Sequence, residues 1–162
     1  MTSSSERNYR DTLGIYPTGV TVITTLDSNN VPVGFTANSF SSVSLDPKLV
    51  LWNLATSSDL IPIFQAAKGY AIHFLCLEQV DISNTFASPV EDRFANLDWS
   101  LSTQGLPIIN GCAAYLECES RQCHAGGDHS IFIGEVTNYA CDTSKKPLAY
   151  HLGNYAQCIP AS

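Results

Sequence analysis

Apolar residues in this chain fall in short runs, many of them β-branched, and long helical stripes are few. Val20 to Thr25 contains only Val, Ile and Thr, residues that fit a pleated surface. Asp27-Ser28-Asn29-Asn30 reads as a turn and Val31 to Thr36 as a returning strand, which predicts a hairpin. Lys48 to Leu54 is almost continuously apolar, the pattern of a strand buried on both faces. Further strands are predicted over Tyr70 to Leu77, Ile108-Ile109, Ala113 to Ser120 and His129 to Tyr139. Helical spacing is confined to three stretches. Residues 6–16 place Leu13 and Tyr16 on one side and stop at Pro17-Thr18-Gly19. A second helix is predicted from a cap at Ser57-Ser58-Asp59 to about Lys68, with Leu60, Ile63, Phe64 and Ala67 as its stripe, and a third over Gln79 to Ala87, ended by Pro89. Residues 91–106 are irregular. Many short strands with two or three short helices predict a mainly β fold, an antiparallel barrel closed or partly closed.

Composition narrows the class. The 162 residues suit one domain, expected over 9–162 behind a flexible polar arm at 1–8, and can bury a core without disulfides. The formal charge of −7 argues against nonspecific binding to nucleic acid or to an anionic membrane. No apolar run approaches the ~18 residues of a membrane span, and the polar start lacks the apolar core of a signal peptide, so a cytoplasmic location is expected. In that compartment the six cysteines read as thiols, with Cys76, Cys112 and Cys118 as small core residues. Cys118, Cys123, His124 and His129 have the residue types of a zinc site, but their spacing matches no common one, and no metal is assigned.

Three stretches could carry chemistry. Thr36-Ala-Asn-Ser-Phe-Ser-Ser42 packs four hydroxyls and an amide side chain into seven residues without a charge. Such a loop could offer short donors to a phosphate or a flavin rim, and a plain polar turn would read the same way. Leu54-Ala-Thr-Ser-Ser58 leaves a buried strand and opens a helix, either as an anion site or as an ordinary cap. Gly126-Gly-Asp-His129 enters a strand, where the glycines permit close approach of a ligand and the imidazole could hydrogen-bond a carboxamide; a flexible turn with an exposed His is the alternative. No Walker loop, GxGxxG or nucleophile elbow is present.

In order and spacing, these stretches resemble the flavin reductase-like family, the small reductase components of two-component flavin monooxygenases. The landmarks are Tyr16-Pro-Thr-Gly-Val-Thr-Val-Ile-Thr-Thr25, Pro32-Val-Gly-Phe-Thr-Ala-Asn-Ser-Phe-Ser-Ser-Val-Ser-Leu-Asp-Pro47, Arg93-Phe94, Gly105-Leu-Pro107, Leu116-Glu-Cys118 and Gly127-Asp-His-Ser-Ile-Phe-Ile-Gly-Glu-Val136. The resemblance implies an FMN-binding split barrel, a homodimer, and hydride transfer from NADH or NADPH to FMN or FAD in support of a partner monooxygenase. A flavin-binding electron carrier or sensor of the same fold is the alternative. By the same resemblance, Thr36, Ala37, Asn38, Ser39 and Ser42 hold the flavin ring and ribityl chain, and Leu54, Ala55, Ser57 and Ser58 hold the other edge and the phosphate, with Phe86, Arg93 and Phe94 as additions. His129 faces the nicotinamide as the candidate catalytic residue, and Pro17, Thr18, Gly19, Val20, His151, Gly153 and Tyr155 close over that cofactor. Two positions depart from the pattern. The tail carries His151-Leu-Gly-Asn-Tyr155 where the family often has Arg, and Asn53 is polar in an apolar strand. With no Arg pair in view for a 2′-phosphate, NADH is the expected donor.

Overall fold

The computed structural model of the protein describes residues 4–161. Its elements run α1 (Ser4–Gly14), β1 (Thr18–Gly19), β2 (Thr21–Leu26), β3 (Pro32–Ala37), β4 (Ser41–Leu45), β5 (Lys48–Ala55), α2 (Ile61–Ala66), β6 (Gly69–Phe74), a 3-10 turn (Leu77–Gln79), α3 (Val80–Ala87), β7 (Trp99–Leu101), β8 (Pro107–Ile109), β9 (Ala114–Gly126), β10 (His129–Cys141), β11 (Leu148–His151) and β12 (Asn154–Gln157). Seven strands form one antiparallel sheet in the order β3-β2-β6-β9-β10-β5-β4, while β1-β11-β12 and β7-β8 make two small sheets beside it.

The chemistry of β2 explains its central place. Its residues Thr21 to Thr25 are all buried, with Ile23 in one core and Val22 in another. The three threonines bury their hydroxyls without leaving them unpaired: Thr21 donates to the Ala37 carbonyl, Thr24 to that of Pro107 and Thr25 to that of Gly69. The first core fills the barrel with Phe35, Trp52, Phe64, Tyr70 and Phe132, where Trp52 and Phe132 stack at 4.2 Å. The second lies outside the barrel wall and packs Val22 and Leu75 under Phe86, Phe94, Ile109 and Leu148.

Several local expectations change. The arm expected over 1–8 is helical from Ser4, and residues 1–3 lie outside the described residues. Strand β5 is buried on one face only: Val50, Trp52 and Leu54 point into the barrel, and the alternate residues are half-exposed. The helix expected from Ser57 begins at Ile61 and has six residues. Residues 41–45, read from the sequence as polar loop, form β4, and β9 continues six residues beyond Ser120 as a hairpin arm with β10.

Candidate functional site

β3 ends at Ala37 and β4 starts at Ser41, so Asn38, Ser39 and Phe40 bridge two strands outside either ladder. The hydroxyl of Ser39 accepts the Asn53 N–H at 3.0 Å and donates to the Asn53 carbonyl at 3.2 Å. One side chain thus joins the loop to β5 at the seam where the sheet does not close by a ladder. The N–H groups of Asn38, Ser39 and Phe40 have no acceptor among the described residues. These three consecutive amides are therefore candidate donors, in a loop whose Asn38 and Phe40 line a cleft.

That cleft is largely apolar, with a volume of about 210 Å³. Asn38 and Phe40 line it from the loop, Phe74 and Leu75 from the end of β6, and Gly19, Val20, Pro147 and Leu148 as a wall. The wall is the small sheet in which Thr18 pairs with Tyr150 and Gly19 with Ala149. Thr18, Gly19 and Val20 are thereby brought against the segment 148–150. His151 and Asn154 close the β11–β12 hairpin through Leu152 and Gly153, with φ of 50° and 76°, the left-handed pair of a tight two-residue turn.

His129 sits at the start of β10, paired with Ala55 on β5. The Thr56 N–H donates to the Asp128 carbonyl at 2.9 Å, which brings the Ala55–Ser58 turn against the Gly-Asp-His turn. His129 Nδ1 lies 2.7 Å from Asp128 Oδ1. The Asp128 carboxyl is held below the usual carboxylate range, chiefly by that hydrogen bond and by the His129 charge, with a smaller contribution from Arg10 on α1. The same helix receives the Leu152 N–H on the Gly14 carbonyl, so α1 reaches from the tail hairpin toward His129.

Other expected residues are placed elsewhere. Phe86 and Phe94 are buried in the second core, edge to face at 5.1 Å, and Leu54 is buried inside the barrel, so none of these side chains presents a surface to a ligand. Arg93 lies beside Val31–Gly34 at the other end of β3, where its Nη2 donates to the Ser88 carbonyl at 2.8 Å. The hydroxyls that drew attention to residues 36–42 are mostly engaged within the protein. Thr36 donates to the Ser83 carbonyl, Ser39 holds Asn53, and Ser41 donates to the Ser42 carbonyl. Ala37 is buried, Ser42 and Ser57 are exposed, and Ser58 accepts the Leu60 N–H. With only six residues in α2, the case for an anion site rests on the turn amides and not on a helix dipole. Sequence reasoning noted Asn53 only as a departure and gave it no role, although its Oδ1 is buried with no partner beside the seam, and it missed Ser83, which touches both the loop and the tail. The polar residue in the apolar run 48–54 was the available signal for the first; nothing local marked the second.

A family model described as a flavin reductase like domain matches residues 13–158. The chain is 45% identical over 149 residues, 92% of its length, to the reductase component of a flavin-dependent trigonelline monooxygenase from Acinetobacter baylyi, and it spans about half, 48%, of that relative. It is 40% identical over 153 residues to the FMN reductase (NADH) SmoA of Agrobacterium fabrum, covering 94% of this chain and 86% of that one. Its fold superposes with a TM-score of 0.91 and 34% identity on the NADH:FAD oxidoreductase SgcE6 of Streptomyces globisporus C-1027, solved in complex with NAD and FAD fragments, with 99% and 97% of the two chains covered.

Proposed function

The chain belongs to the flavin reductase like family, and from that premise we propose that it transfers a hydride from NADH, or NADPH, to FMN or FAD and passes reduced flavin to a partner monooxygenase in the cytoplasm. The observation that carries the reading is the run of three acceptor-less N–H groups, Asn38 to Phe40, in a loop whose first and last residues line an apolar cleft. An isoalloxazine edge offers carbonyl and ring-nitrogen acceptors, and its body is apolar and flat. A rim of amides beside an apolar floor fits that chemistry better than it fits a sugar or a peptide. The unpartnered Asn53 Oδ1 supplies a nearby acceptor.

A bound flavin would supply the two-electron hydride acceptor, and the chain's own residues perform no covalent chemistry. Its residues bind, orient and exclude water. The amides of Asn38, Ser39 and Phe40 are fixed donors that favour negative charge at the rim, and fixed donors need no reorganisation as charge develops. Ala55, Ser57 and Ser58 are proposed to meet the polar end of the flavin, a role their exposed turn allows. His129 is proposed as a positioning contact for the nicotinamide: Asp128 occupies its Nδ1 and leaves Nε2 for a carboxamide. Pro17 to Val20, with His151 and Gly153, are proposed to cover that cofactor from the small sheet, in which Thr18 and Gly19 pair with Tyr150 and Ala149. A homodimer is proposed as well. Leu49, Leu51, Ile131 and Ile133 are half-buried on the outer barrel face, and Val43 and Leu45 stand exposed beside them.

The test follows NADH loss by near-ultraviolet absorbance with FMN, FAD or riboflavin supplied or withheld. NADH is expected to be oxidised only when flavin is present, faster than NADPH. Flavin binding without NADH oxidation would replace the reading with that of an electron carrier or sensor, and absence of flavin binding would remove both.

A further inference from the structure

The tail and the flavin loop are fastened to the same short piece of α3. Ser83 is buried, and its backbone carbonyl accepts the Thr36 hydroxyl at 2.7 Å. Its side-chain hydroxyl lies 2.9 Å from the Tyr155 phenol, and that phenol lies 2.8 Å from Asn84 Oδ1. A phenol has one hydrogen, so the consistent arrangement has Ser83 donating to Tyr155 and Tyr155 donating to Asn84. Tyr155 is paired with Tyr150 across the β11–β12 hairpin, their rings 5.5 Å apart, and Tyr150 is paired with Thr18 of β1. The wall of the cleft is thus tied through Tyr155 to Ser83, and the opposite rim is tied to Ser83 through Thr36.

We propose that Tyr155 is a positioning residue, a latch that holds the β1-β11-β12 wall at a set distance from the Asn38–Phe40 rim through Ser83 and Asn84. This departs from a direct contact between Tyr155 and the nicotinamide, because the phenol already has both a donor and an acceptor within the protein. It rests on the reductase reading, in which this wall covers the nicotinamide. Hydride transfer needs the donor carbon of the nicotinamide and the acceptor nitrogen of the flavin about 3–3.5 Å apart, so a wall that drifts admits unproductive poses. The two fastenings are chemically separate. Tyr155 governs the wall, and Thr36 governs the rim.

The test is steady-state kinetics on the full chain with NADH and FMN, together with flavin affinity from fluorescence quenching. Tyr155→Phe keeps the ring and removes the hydrogen bonds. It is expected to raise the KM for NADH about fivefold, with flavin affinity unchanged within about twofold, the size of effect that a side-chain hydrogen bond supports. The Ser83→Ala/Asn84→Ala double variant is expected to reproduce that rise, and adding Tyr155→Phe to it should change nothing further. Thr36→Val should weaken flavin binding and leave the KM for NADH nearly as it was. If Tyr155→Phe leaves the KM for NADH unchanged, or if it raises it while the Ser83/Asn84 variant is silent, the latch is overturned; the second result returns Tyr155 to direct contact. In both cases the wild-type protein still reduces flavin with NADH. A wild-type protein that does not do so sinks the reductase reading instead. Should the Tyr155 variant fold poorly, the Ser83/Asn84 variant carries the test: a silent result from it alone overturns the latch.

Discussion

His73 is completely buried on β6, with Nδ1 3.0 Å from the Val22 carbonyl and Nε2 accepting the Ile109 N–H at 3.1 Å. The ring must therefore be neutral, carry its proton on Nδ1, and tie β2, β6 and β8 together. Burial lowers its pKa from 6.5 to about 4, opposed in part by the Val22 hydrogen bond. In the unfolded chain the ring takes a proton near pH 6.5, and the folded ring refuses it down to about pH 4. The stability it contributes is thus full above pH 6.5, declines as pH falls through that window, and is gone below about 4. The loss is about 3 kcal/mol across the window. Its imidazole proton resonance should stay unshifted from pH 8 to 5; a titration midpoint near 6 would contradict the buried assignment. His129, on the surface, is the contrasting case. His129→Ala is expected to raise the KM for NADH severalfold while flavin affinity holds, since the proposed hydrogen-bonding contact is lost and the proposed flavin rim is untouched. Kinetics identical to the wild type would take His129 out of the site.

At the scale of elements, β10 is shaped by one missing side chain. A Cβ on Gly134 would run into the Tyr70 hydroxyl and ring and into Cys118 Cβ, beside a register shift against β9. Gly134→Ala is expected to cost about 2–3 kcal/mol, seen as a lower urea midpoint at constant slope, with Tyr70→Phe recovering part of it. An unchanged midpoint would show that the barrel yields there. The strands of this barrel were legible where burial imposes a residue type, as in β2 and the start of β10. They were less so where it does not. Strand β4 is a row of serines with Val43, exposed over most of its length, and its pairing to β5 comes from tertiary position and not from propensity. The helix at α2 starts late because Ser58 turns back on Ala55 and Pro62 takes its first turn, which a capping pattern in the sequence does not reveal. The loop over 36–42 stood out in the sequence through its hydroxyls. In the fold, two of these fasten the loop to α3 and β5, and the groups left for a ligand are backbone amides, which composition cannot display.

For the whole molecule, the proposed dimer predicts a solution mass near twice 17.5 kDa by sedimentation, and Leu45→Glu on the exposed end of β4 should shift it toward the monomer. The architecture assigns work by region: the barrel core gives rigidity, the seam between β3 and β5 gives the rim, and the small sheet gives the wall. The family assignment reaches across nearly the whole chain, whereas the site depends on how these three parts meet. The most direct measurement of that meeting is a crystal of the protein soaked with FMN and with FAD. The account predicts isoalloxazine density against the N–H groups of Asn38, Ser39 and Phe40, with one ring face open toward Pro17–Val20. A flavin bound elsewhere, with those three amides in contact only with solvent, would contradict it.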